Sequence, residues 1–131
     1  MSLWYKPNSV LVHVAITNQI SQIGTTPVQF ATTGTVLIPA NRRIIVTCKI
    51  YCDFLNNGGY LQALMDGTPN ADGPLAEVYQ ATSFLMFGQS VFLPSSGGHV
   101  FSMNCAALSN VMNIRGDYYP GAMEVRDWGA V

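Results

Sequence analysis

Two histidines, three cysteines and seven carboxylates are the side chains of this sequence whose chemistry could go beyond packing. His13 and His99 both lie inside stretches that alternate apolar and polar residues. A zinc site needs three or four ligands at workable spacing, and a nucleophile–base pair needs its partner within hydrogen-bond reach. Neither histidine neighbours the cysteines, so both read as ordinary strand histidines. Cys48 and Cys52 lie four residues apart on a predicted strand, which separates their Cα atoms by roughly 13 Å. A disulfide tolerates less than about 7 Å, so these two cannot pair. With Cys105 the count is odd and fits no disulfide framework. Buried free thiols made in a reducing cytosol are the expectation.

The carboxylates Asp53, Asp66, Asp72, Glu77, Asp117, Glu124 and Asp127 sit mostly near turns. A glycosidase pair would need two of them facing across a cleft, about 5–10 Å apart. Asp66 and Asp72 bracket a Gly- and Pro-rich loop where such a pair, or calcium capture by several oxygens, stays open. The loop lacks a regular alternation of ligands, however, and turn formation accounts for its aspartates. The Gly-Gly pairs sit at hairpin turns, away from any strand-to-helix junction that could cradle phosphate. The expectation is therefore a chain without catalytic group, metal or cofactor.

The elements that would carry these residues are strands. No window places apolar residues at helical spacing with a polar opposite face, and Gly and Pro punctuate the chain throughout. Val10, Val12, Val14 and Ile16 share one face of a first strand; Val28–Phe30 and Thr35–Ile38 are short strands. From Arg43 to Phe54, residues Ile44, Val46, Cys48, Ile50, Cys52 and Phe54 line one side and Ile45, Thr47, Lys49, Tyr51 and Asp53 the other, the period-2 pattern of a strand with a core side and a wetter side. Asn56-Asn57-Gly58-Gly59 supplies residues tolerant of positive φ for a hairpin turn. Strands follow over Gly59–Asp66, Leu75–Ala81, Phe84–Leu93, His99–Ala107, Val111–Arg115 and Gly121–Trp128. Eight to ten short strands with turn chemistry between them predict a sandwich or barrel. One domain over residues 10–131, preceded by an N-terminal arm over residues 1–9, is the expected organisation.

Charge is the unusual feature. Only 10% of the 131 residues are charged, against about 25% in an average soluble protein. Pro7–Asn41 and Val78–Ile114 contain no Asp, Glu, Lys or Arg at all. Ser, Thr, Asn and Gln could solvate such a surface. Yet Phe84–Leu93 is apolar on both faces, with Leu85, Phe87, Val91 and Leu93 on one side and Phe84, Met86 and Phe92 on the other. A sandwich core meets only one face of a strand, so the other face is expected against a loop, an arm or another subunit. A net charge of −1 with six Lys and Arg argues against nucleic acid, whose affinity comes from clustered cations. No apolar run reaches the roughly 18 residues that span a bilayer, and residues 1–7 lack the layout of a signal peptide.

The order of segments from residue 35 to 129 resembles phage virion proteins with a jelly-roll domain of the tumour-necrosis-factor/C1q type. The likeness is carried by Ile38-Pro39-Ala40-Asn41-Arg42-Arg43 leading into the long strand, by Gly59-Tyr60-Leu61-Gln62-Ala63-Leu64-Met65-Asp66-Gly67, by Gly97-Gly98-His99-Val100-Phe101-Ser102-Met103, and by the ending Asp127-Trp128-Gly129. It implies an all-β jelly-roll sandwich that assembles as a homotrimer and decorates a capsid as a cement protein, binding the major capsid protein or another virion protein. The protein would be made in the host cytoplasm and reside in the virion. The absence of a fibrous stalk ahead of the domain favours decoration. The alternative is a receptor- or glycan-binding tip module of a tail or head fibre. In this reading Tyr51, Tyr60, Leu85, Phe87 and Phe92 pack at the trimer axis or between sheets. Trp4, Tyr5, Tyr118, Tyr119 and Trp128 dock on partners.

Overall fold

The computed structural model describes residues 9–55, 58–70, 75–79 and 82–131; the expected docking residues Trp4 and Tyr5 lie outside them. In chain order the strands are Ser9–Ile16 (β1), Gln19–Ile23 (β2), Val28–Thr32 (β3), Val36–Ile38 (β4), Arg42–Phe54 (β5), Gly59–Met65 (β6), Thr68–Pro69 (β7), Ala76–Val78 (β8), Phe84–Phe92 (β9), Gly97–His99 (β10), Phe101–Ala107 (β11), Met112–Arg115 (β12) and Gly121–Ala130 (β13). All pairings are antiparallel. The chain is an all-β sandwich of jelly-roll type.

The cleanest alternation in the sequence becomes the centre of the larger sheet. Along one edge β5 pairs with β13 over Arg42–Lys49 and with β12 over Cys52–Phe54; along the other it pairs with β9 over Ile44–Cys52. β1 extends the sheet beyond β13, and β2 extends it beyond β12. The facing sheet runs β3-β11-β6, with β7 and β8 on the far edge of β6, and β4 and β10 form a separate pair.

Between the sheets, Ile44, Val46, Cys48, Ile50, Cys52 and Phe54 meet Leu61, Ala63, Phe101, Met103 and Cys105 in one buried cluster. Removing such side chains from water supplies the driving force, about 1.5–3 kcal/mol for each large one. Phe92 and Phe101 join the sheets through an edge-on ring contact at 5.9 Å. The three thiols are free and buried. Desolvation pushes Cys48 and Cys105 up to about 12 and Cys52 higher still, so none supplies a thiolate near neutrality.

Three strand expectations are revised. Gln19–Ile23 is a strand the alternation did not reveal, because its sequence is mostly polar; its order comes from pairing with β12. The segment from Leu75 is strand only over Ala76–Val78, and residues 80–81 lie outside the described ones. The run from His99 divides at Val100, where the chain leaves β4 and joins β6 and β3.

Gly121 lets β13 start close against β5: an added Cβ would collide with the Lys49 carbonyl and press on Ile50. Gly121→Ala is therefore expected to lower stability by about 1–3 kcal/mol, the range for overpacking. Urea unfolding checks this, and an unchanged midpoint would show that β13 moves aside freely.

Candidate functional site

β5 lies between β13 and β9, so its wetter face is flanked by the outward residues of both. Thr47 stands between Glu124 and Gln89, Lys49 between Ala122 and Phe87, and Ile45 between Arg126 and Val91; Tyr51 is opposite Leu85. His13 of β1 extends the first row beyond Glu124. The outer face of the larger sheet is thus banded, polar along β1–β13–β5 and apolar along β9.

The apolar band is what the single chain leaves open. Met86 and Phe92 face the core, while Leu85, Phe87 and Val91 are 37%, 62% and 44% exposed and Leu93, just past the strand, is 64% exposed. The expectation that this strand is buried on both sides is not met within one molecule. Single exposed apolar residues are ordinary, but a row of them, broken here only by Gln89, marks an interaction surface.

The polar band is tied together. The Glu124 carboxylate takes the His13 imidazole on Oε2 at 2.9 Å and the Arg126 guanidinium on Oε1 at 2.6 Å. Those bonds, the His13 one first, hold its pKa below the ordinary glutamate value. Two shallow depressions of about 380 and 310 Å³ adjoin here, sharing Thr47, Phe87 and Glu124. At one end of the face Tyr51 packs against Tyr118 and Tyr119, with ring centres 5.5 and 6.1 Å apart, and the Lys49 ammonium lies 5.4 Å from the Tyr119 ring.

At the opposite end the Asp127-Trp128-Gly129 tail places Trp128. A register shift between Asp127 and Gly129 interrupts the pairing with β5, and Gly129 takes φ of 120°, where a side chain would strain the backbone. Asp127 turns inward, 1% exposed, and accepts from Arg42 Nε and Nη2 at 2.8–3.1 Å and from the Gly129 amide at 3.0 Å. Trp128 turns outward and lines the second depression beside Ile45 and Arg126.

Of the packing and docking residues expected from sequence, Tyr51, Leu85, Phe87, Tyr118, Tyr119 and Trp128 come together on or at the ends of this one face. Phe92 lies inward against Phe101, and Tyr60 belongs to β6 of the other sheet, opposite Ala106 and Glu77. His13, Thr47, Gln89, Glu124 and Arg126 were not foreseen as site residues. The alternation of Glu124, Arg126 and Trp128 shows that they share a side; only the pairing of β13 with β5 shows what they stand beside.

A second polar cluster lies away from this face. The buried His99 ring contacts Asp66 Oδ2 through Nδ1 at 2.6 Å and the Ser95 carbonyl through Nε2 at 2.7 Å, while the Val100 amide donates to Asp66 Oδ1 at 2.8 Å. Both ring nitrogens face acceptors, which suits the doubly protonated ring. These bonds, the Asp66 one first, raise the His99 pKa above the ordinary histidine value, and that of Asp66 is lowered, first by the Val100 amide. Asp66, which the sequence left open as half of a carboxylate pair or a calcium ligand, is thus engaged as a structural clasp; Asp72 lies outside the described residues. Among the described residues no three His, Cys, Asp or Glu side chains gather as a metal site.

The sign of the clasp's pH dependence follows. A raised histidine stabilises the fold fully below its unfolded value near 6.5, and that contribution fades as pH climbs through the higher folded value. The lowered aspartate acts oppositely, its contribution fading as pH falls below about 4. Wild-type thermal stability is expected to decline from pH 6 towards 8, with the decline flattened in His99→Gln. Equal slopes for the two proteins in a melting series across that range would contradict the assignment.

No protein-family model and no curated protein matches the chain. Among solved structures it is similar to the C-terminal domain of EclA, a sugar-binding protein, at 12% identity and a TM-score of 0.46, covering 93% of this chain and 82% of that one. It is similar to the CBM22-1 xylan-binding domain of Paenibacillus barcinonensis Xyn10C at 10% identity and 0.46, covering 98% and 100%. A chain of the infectious bursal disease virus Gx strain structure is similar at 12% identity and 0.47, covering 96% and 38%.

Proposed function

We propose that this chain is a non-catalytic structural subunit whose outer sheet face is covered by other protein, including copies of itself, in an assembled particle. The observation that carries the reading is the row Leu85, Phe87, Val91 and Leu93, left open to water on a chain with 10% charged residues. Burying such a row offsets the entropy of association without any specific polar contact. The finer form of the proposal is a virion protein that decorates a capsid as a homotrimer, bound to the major capsid protein or another shell protein. By adding contacts only in the assembled shell it would stabilise that state by mass action.

Multi-angle light scattering of the purified protein tests the reading. Three copies of the 14.2 kDa chain are expected at micromolar concentration, whereas a stable monomer overturns self-association. The glycan-binding tip module is the second reading, favoured by the adjoining depressions with Glu124, Arg126, Thr47 and Gln89 between Phe87 and Trp128. Saturable binding on a glycan array would replace the structural reading with that one; silence there, together with binding to intact capsids, supports decoration.

A further inference from the structure

The chain enters the larger sheet at the end where Trp128 stands. β1 starts at Ser9, opposite Asp127; Asp127 is opposite Ile44, and Ile44 is opposite Phe92. The residues before Ser9 read Met1-Ser2-Leu3-Trp4-Tyr5-Lys6-Pro7-Asn8 and hold the only tryptophan besides Trp128. Pro7 disfavours helical backbone at Lys6, so the segment suits an extended peptide. At about 3.3 Å per residue, the five steps from Ser9 to Trp4 span up to roughly 17 Å, more than three strand spacings of about 4.8 Å. An aromatic pair on such a tether can engage a sheet face beyond its own strand.

The depression of about 310 Å³ on the outer face suits an indole. Phe87 and Trp128 line it from the two strands that flank β5, Ile45 lies between them, and Thr47, Gln89, Glu124 and Arg126 complete it. An indole buries two apolar ring faces and needs one acceptor for its N–H. The aromatic rings serve the faces. The Glu124 carboxylate, which accepts from His13 and Arg126, keeps further lone pairs for the N–H, and the Arg126 guanidinium adds a cation over the ring.

We propose that the N-terminal arm of each copy lies across the outer face of the next, with Trp4 seated in that depression and Leu3 and Tyr5 against the apolar row. The inference deepens the self-association reading, on which it rests, by naming its contact. Three copies about one axis meet through unlike surfaces away from that axis, whereas a row meeting its own counterpart makes a two-fold pair. A ring of three therefore needs a second apolar element for the row to receive, and the arm supplies one. Exchange of an identical segment between copies is a low-cost route to assembly.

Light scattering of Trp4→Ser, together with crosslinking of Tyr5→Cys/Gln89→Cys by a short bismaleimide, tests it. The three native thiols are free and buried and Gln89 is exposed, so the reagent joins the introduced cysteines. Trp4→Ser is expected to weaken association by roughly thirtyfold or more, the loss of a central interface anchor. The double-cysteine protein should give covalently joined two- and three-copy species on a denaturing gel, and each single-cysteine variant one chain. Should Trp4→Ser lose its strand circular dichroism, the crosslinking decides alone. Links confined within single chains would place the arm on its own copy and overturn the exchange. So would an assembled double variant that does not link, or a folded Trp4→Ser with wild-type affinity; all three outcomes leave self-association standing. A monomeric wild type overturns both this and the self-association reading.

Discussion

Asp127→Ala is expected to cost about 3–5 kcal/mol of folding stability, the range for removing one partner of a buried ion pair. Asp127 is 1% exposed and Arg42 15%, so the guanidinium left behind is a mostly buried charge without its carboxylate. The Gly129 amide also loses its acceptor, and with it the turn that sends Trp128 outward. At this chain length the loss corresponds to a fall in melting temperature of roughly 10–20 °C. An Arg42→Met/Asp127→Leu double variant should recover much of it, since an apolar pair of similar volume strands no charge. Calorimetry on the three proteins decides the matter: a single variant within 1 kcal/mol of wild type would mean that the pair is not buried in solution. The effect reaches the candidate site, because the same carboxylate that anchors β13 inside the sandwich places an indole on its outside.

Phe87→Asp is the second large effect, and it should leave the fold intact. The side chain is 62% exposed and faces away from the core, so its replacement removes little folding energy. Central apolar anchors of an interface contribute about 2 kcal/mol or more each, equivalent to roughly 30-fold in affinity. A buried carboxylate adds a desolvation cost on top. The assembled protein is therefore expected to dissociate at concentrations where wild type stays associated, with circular dichroism and melting of the dissociated chain unchanged. Dissociation accompanied by loss of strand signal would place Phe87 in the fold instead of the interface.

Much of the architecture was legible from residue order because period-2 alternation is a direct consequence of strand geometry. It identified the inward faces of β5 and β11, the burial of all three cysteines, and an all-β sandwich. What it could not reach depends on pairing. β2 is too polar to alternate visibly, and its order is imposed by β12. The break at Val100 arises where the chain passes from one pair of strands to another. The apolar row on β9 was visible as two-faced hydrophobicity, but which side met the core depended on β9 lying beside β5.

The candidate site shows the same division. Leu85, Phe87 and Trp128 stood out by residue type, whereas Glu124, Arg126, Thr47 and Gln89 are unremarkable in sequence and become neighbours only through register. His99 and Asp66 are 33 residues apart and meet because the turn after β6 lies beside the end of β10. Their hydrogen bonds convert a loop aspartate that could have been a ligand into a support for that turn.

Hydroxyl-radical footprinting of the native protein measures most directly whether the outer face is covered. Phe87 and Tyr79 are 62% and 73% exposed in the single chain, so without partners both should be oxidised at close to their intrinsic rates. The account predicts that Tyr79 reacts freely while Phe87, Leu85 and Leu93 are protected severalfold, and that Phe87→Asp exposes the remaining two. Full reactivity of Phe87 in the native protein at micromolar concentration would contradict it.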